Sequence, residues 1–168
     1  GDEVLVVEPS FVCYKPIIEI CGGVPVPIVT KNEDNFKLMP EEIENAVTDK
    51  TKLIVLPFPN NPTGAVMRKG DLEKIAAVIK KHDLLVLSDE IYSELTYGDE
   101  EHITIASLDS MRERTIIING FSKTYSMTGW RLGYALGPAP IIKQMTKLHQ
   151  YAIMSAPTTS QYAAIEAL

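Results

Sequence analysis

The sequence predicts an α/β fold, three layers of helix, sheet and helix around a mostly parallel sheet, on three observations. Short apolar runs rich in β-branched residues recur along the chain, continuous rather than alternating, as strands covered on both faces require. Segments with helical periodicity lie between several of these runs. Polar residues that a core would reject gather just beyond three of them, where open α/β sheets bind ligands.

VLVV (4–7) is the first predicted strand. VPVPIV (24–29) is the second, and its two prolines, which donate nothing to a sheet ladder, assign it to an edge or a bend. Pro40 followed by Glu41 and Glu42 predicts a helix start, with acids at the positive end of the helix dipole. LIVLPF (53–58) is the third strand. Over 68–82, Leu72, Ile75, Ala76 and Ile79 share one helical face and leave Lys69, Asp71, Lys74 and Lys81 for solvent. LLVLS (84–88), TIIIN (115–119) and LGYALG (132–137) are the remaining strands, and 140–154 and 157–168 read as helices. Trp130 is expected to pack against the sheet, and Met111, Met145 and Met154 to fill the core. No repeat, low-complexity tract or linker divides the chain.

Composition narrows the function classes. The 168 residues make one domain, and 45% apolar with 23% charged residues is enough to build a core. A net charge of −6, with Lys80-Lys81 the densest basic run, argues against nucleic acid. No apolar run is long enough to span a bilayer and no signal peptide opens the sequence, so no membrane partner and a cytoplasmic location are expected. Cys13 and Cys21 have no metal spacing and read as small core residues of a reducing compartment. His82, His102 and His149 have no catalytic spacing and are expected in surface or capping roles, and the acids of YGDEEH (97–102) in a solvated loop rather than a metal site. Both ends look cut. The chain opens without methionine directly into an apolar run and stops at AAIEAL without a helix stop signal, so a piece of something longer is expected.

LIVLPF runs into PNNPTG (59–64), LLVLS into DEIY (89–92) and TIIIN into GFSK (120–123). Lys123 stands between Ser122 and Thr124, and no charged residue follows until Arg131. An amine held at a strand end among uncharged groups becomes nucleophilic, and its natural partner is a carbonyl, giving a Schiff base. An exposed loop lysine is the other reading. Gly120, Ser122, Gly129 and Arg131 suit a phosphate, through backbone N–H groups and a guanidinium. A phosphate and an aldehyde on one ligand point to pyridoxal phosphate. Asp89 fits, because a carboxylate closing an apolar run needs a cation, and the protonated ring nitrogen of that cofactor is one. A helix N-cap is the alternative. Asn61 and Tyr92 could both donate to the cofactor's phenolic oxygen, against a plain turn at PNNPTG and a packed aromatic at position 92. Glu90 reads as an ordinary solvated or salt-bridged acid.

GFSKTYSMTGWRLG (120–133), preceded in order by NPTG (61–64) and SDEIY (88–92), resembles the motif set of the class I and II aminotransferases, fold-type I enzymes dependent on pyridoxal 5'-phosphate. The resemblance implies that residues 1–168 are the middle of the large cofactor-binding domain, with an N-terminal arm and a C-terminal small domain outside them. It implies that Lys123 carries the cofactor and later moves the substrate's α-proton, that Asp89 pairs with the pyridinium nitrogen, and that Asn61 and Tyr92 contact the phenolic oxygen. Arg131 would bind the phosphate, with Ser122 supplying a hydrogen bond where some relatives have a serine in place of Gly120. EPSF (8–11) is similar to the segment whose aromatic residue stacks on the ring, which makes Phe11 the candidate, against a buried core phenylalanine. Amino-acid and 2-oxo-acid substrates and a homodimeric parent follow from the same resemblance. The same residues would also serve a β-lyase, a synthase, a decarboxylase, or an aminotransferase-like sensor domain of a transcription regulator. The 168 residues alone are expected to bind cofactor with little or no turnover.

Overall fold

The computed structural model describes residues 1–98 and 101–168, so Asp99 and Glu100 of the acidic loop expectation lie outside the described residues. Six strands form one sheet: β1 (Glu3–Glu8), β2 (Val24–Val29), β3 (Thr51–Leu56), β4 (Leu85–Asp89), β5 (Thr115–Gly120) and β6 (Gly133–Leu136). Their order is β2-β1-β3-β4-β5-β6, and every neighbouring pair is parallel except β5 with β6. The proline-bearing β2 is an edge strand, where a missing N–H leaves no gap in a ladder.

The helices are α1 (Tyr14–Ile20), α2 (Pro40–Ala46), α3 (Lys69–Lys81), α4 (Phe121–Thr124), α5 (Ala139–Ala152) and α6 (Thr158–Ala167). Pro40 opens α2, and the Glu42 carboxylate accepts the Met39 backbone N–H at 3.0 Å. On α3, Leu72, Ile75, Ala76 and Ile79 are all buried. Each large side chain among them contributes about 2 kcal/mol relative to remaining in water.

Period two sorts the strand residues onto two faces. Leu5, Val7, Ile54, Leu56 and Val86 join the α2 and α3 side chains in the main core. Val4, Leu53, Val55, Leu87 and Ile118 lie on the opposite face with Ile17 and Ile18 of α1. Consecutive residues at a strand's end therefore enter different surroundings, which decides the fate of the acids after β4.

Several expectations need correction. The short helix α1 has no counterpart in the sequence reading, because its start carries no capping side chain and its core is proline and isoleucine. Of the three methionines only Met111 is fully buried; Met145 is half-buried and Met154 is 81% exposed, beyond the end of α5, a helix with no buried residue. Trp130 is 46% exposed rather than packed on the sheet. Cys21 is exposed at the end of α1 and Cys13 is half-buried in the turn before it, both free thiols outside the core. No helix among the described residues is long and apolar enough to cross a membrane.

Candidate active site

The strand order turns at the β1–β3 pair, since the chain steps from β1 to β2 on one side and continues through β3, β4 and β5 on the other. Ligands of open α/β sheets bind at such a switch point, beyond the carboxyl ends of the strands. Phe11 follows β1, Asn61 follows β3, Asp89 and Tyr92 end and follow β4, and Lys123 with Arg131 follows β5. All of these, together with Ser122, line one cavity of about 330 Å³.

Asp89 shares its face with Leu87, so its carboxylate turns toward α1. Its Oδ2 accepts a hydrogen bond from the Tyr14 hydroxyl at 2.6 Å, and its Oδ1 accepts the Ile91 backbone N–H at 3.2 Å. No helix begins at Asp89, so the capping alternative fails; the Ile91 contact closes a local turn in a residue that also faces the cavity. Burial and the adjacent Asp89 charge push the Tyr14 phenol well above its ordinary range, so it remains a proton donor at physiological pH.

Glu90 turns the other way and is 4% exposed, so the solvated reading fails and the ion-paired reading holds. Its Oε1 accepts from Ser88 at 2.9 Å and Thr104 at 2.6 Å, and its Oε2 lies 2.9 Å from His102 Nε2. Burial pushes this carboxyl up, but the hydrogen bonds from His102, Thr104 and Ser88 together hold it below the usual glutamate value. His102 is therefore a partner of a buried acid rather than a surface residue. His82 keeps its expected capping place at the end of α3, where it meets Glu44 at 2.8 Å.

PNNPTG divides its work between two asparagines. The buried Asn60 builds the turn: its Oδ1 accepts from the Thr63 hydroxyl at 2.8 Å, and its carbonyl accepts the N–H of Gly64, which has φ +72°. That leaves Asn61 free to face the cavity, where its Nδ2 donates to the Tyr92 hydroxyl at 3.4 Å. Lys123 Nζ stands 5.5 Å from the centre of the Tyr92 ring. An amine, a phenol and an amide thus converge in a cavity that a carboxylate also lines.

Arg131 adopts a left-handed conformation, φ 53°, and donates to the Thr128 carbonyl at 2.7 Å, while the Thr128 hydroxyl donates to the Ser122 carbonyl at 2.9 Å. Thr128 is committed to shaping this loop. Gly120 has a packing role that the sequence reading did not include. A Cβ there would stand 2.9 Å from the Gly133 Cα and 3.0 Å from the Leu132 carbonyl, so its bareness lets β6 close against β5. Phe11 is 51% exposed, which removes the core alternative, and its ring meets Tyr14 edge-on at 6.5 Å.

The donor set fits pyridoxal phosphate: an amine for its aldehyde, a carboxylate for a ring cation, phenol and amide for a phenolate, guanidinium and hydroxyl for a phosphate, and an aromatic face. The cavity volume lies within the range of small-molecule sites. No metal-binding group of three or more His, Cys, Asp or Glu occurs among the described residues. Tyr14 is the site residue that the sequence did not reveal, because only the tertiary fold carries the first residue of α1 across β3 to the end of β4.

Residues 1–168 match the family model for aminotransferase class I and II. The chain is 49% identical to an aspartate aminotransferase of Pyrococcus abyssi over all of its length and 43% of that protein's. It is 50% identical to the solved aromatic aminotransferase of Pyrococcus horikoshii OT3, with a TM-score of 0.97 over 99% of this chain and 45% of that one. With the aspartate aminotransferase of Thermus thermophilus solved with maleate, the identity is 41% and the TM-score 0.94, over 99% of this chain and 43% of that one. The chain thus spans less than half the length of these relatives. Over the part it does span, fold and sequence agree, and the chain belongs to the class I and II aminotransferase family, whose cofactor is pyridoxal phosphate.

Proposed function

We propose that the whole protein is a pyridoxal phosphate-dependent aminotransferase, moving an amino group between an amino acid and a 2-oxo acid, and that these 168 residues hold the core of its cofactor site. The observation that carries this reading is the single cavity shared by Phe11, Asn61, Asp89, Tyr92, Ser122, Lys123 and Arg131. When bound, the cofactor supplies an aldehyde to receive the amino group and a ring that accepts the electron pair left as the α-proton departs.

The residues divide the remaining work. Lys123 Nζ would hold the cofactor through its aldehyde and, when free, would take the α-proton and return it. The Asp89 carboxylate keeps the ring nitrogen protonated, which deepens the electron sink. The Tyr92 hydroxyl and Asn61 Nδ2 hold the phenolic oxygen, Arg131 and Ser122 hold the phosphate, and Phe11 covers one face of the ring. The same family resemblance supports a homodimer. Incubating the whole protein with a panel of amino acids and an added 2-oxo acid tests the reaction class. The expected result is amination of the added acid in step with oxo-acid release; release of ammonia or carbon dioxide instead would assign a lyase or a decarboxylase.

A further inference from the structure

We infer that Tyr14 is a positioning residue for this reaction: its hydroxyl sets the plane of the Asp89 carboxylate, and through it how firmly the ring nitrogen of the cofactor is held. The inference rests on the reading of Asp89 proposed above. A carboxylate offers about four lone-pair sites. Here the Ile91 N–H takes one site on Oδ1 and the Tyr14 hydroxyl one on Oδ2, so two anchors on different oxygens fix its rotation. The 2.6 Å contact is in the range of a charge-assisted O–H···O⁻ bond, the stronger of the two anchors, whereas the backbone N–H at 3.2 Å is long. Without Tyr14 the carboxylate would be free to swing about its Oδ1 anchor.

Tyr14 is itself well placed for this. It opens α1, and its ring packs edge-on against Phe11, with an interplanar angle of 81°. The residue read as covering the cofactor and the residue read as pairing with its nitrogen are thus joined through one tyrosine. Its raised phenol keeps the donor in place across the working pH range. A purely structural role, holding α1 to the sheet, would also use this bond, so the test has to separate the two.

The separation comes from 1-deazapyridoxal 5'-phosphate, in which a C–H replaces the ring nitrogen, so that Asp89 has no cation to pair with. The dissociation constants of both cofactors are measured on the whole protein, as wild type, Tyr14→Phe, Asp89→Ala and the double variant. The wild type should prefer the natural cofactor, and Asp89→Ala should lose that preference. Tyr14→Phe should weaken the natural cofactor by about tenfold, the scale of one hydrogen bond to a charged group, and leave the deaza analogue within about twofold. The double variant should bind no worse than Asp89→Ala, since both act through one carboxylate. If Tyr14→Phe weakens both cofactors alike, or neither, the inference falls while the reading of Asp89 stands. If the wild type shows no preference for the natural cofactor, the reading of Asp89 fails and takes the inference with it.

Discussion

Asp89 and Glu90 are adjacent in the chain and opposite in circumstance. The strand's alternation sends Asp89 into the cavity, where two protein donors reach it and the rest of its lone pairs face open space. Glu90 goes into the packed side, where Ser88, Thr104 and His102 occupy both of its oxygens. A buried acid whose partners all come from its own fold serves the fold. An acid at a cavity wall with capacity to spare is ready for a ligand. The sequence set Asp89 apart as the cofactor's partner, but left Glu90 between solvent and an ion pair.

The comparison breaks most sharply if Asp89 is removed. Asp89→Ala should lower turnover of the whole protein by a hundredfold or more, the scale of a lost electrostatic partner in a catalytic site. Its urea midpoint without cofactor should fall only modestly, because the Tyr14 and Ile91 donors it leaves behind border a cavity that water can enter. Steady-state rates and urea unfolding on the same preparation check both halves.

Glu90→Gln should do the reverse, with a smaller effect. Turnover should be nearly kept, while stability at neutral pH falls by roughly 1–3 kcal/mol as charged hydrogen bonds become neutral ones. The pH dependence carries the sign. Glu90 is held below its unfolded value of 4.5, so its stabilisation is complete above that pH and fades as the pH falls through the lower folded value. The gap between wild type and Glu90→Gln should therefore narrow below about pH 4.5, as read from urea midpoints across an acid series. A gap independent of pH would mean that shape, not charge, is what Glu90 contributes.

Much of this was legible in the sequence for identifiable reasons. Strands buried on both faces are continuously apolar, so VLVV, LIVLPF and TIIIN declared themselves, and the prolines of VPVPIV narrowed it to an edge or a bend, of which the fold uses the edge. The cavity residues stood out because polar groups directly after such runs are costly unless used. What stayed hidden depends on contacts distant in sequence. Tyr14 lies 75 residues from Asp89, and Glu90 finds His102 and Thr104 only 12 and 14 residues on, through a loop with no regular period. The role of Gly120 depends on β6 folding back beside it. Trp130 and Met154 show the limit of hydrophobicity as a guide, since an apolar side chain is not obliged to be inside.

The central claim is that the cavity holds pyridoxal phosphate through Lys123. Adding the cofactor to the whole protein, removing the excess, recording the visible spectrum and then reducing with borohydride for peptide mapping tests it directly. The account predicts a visible absorption band and a reduced label on the peptide containing Lys123, both absent in Lys123→Ala. A label on another lysine, or no adduct in a protein that circular dichroism shows to be folded, would contradict it.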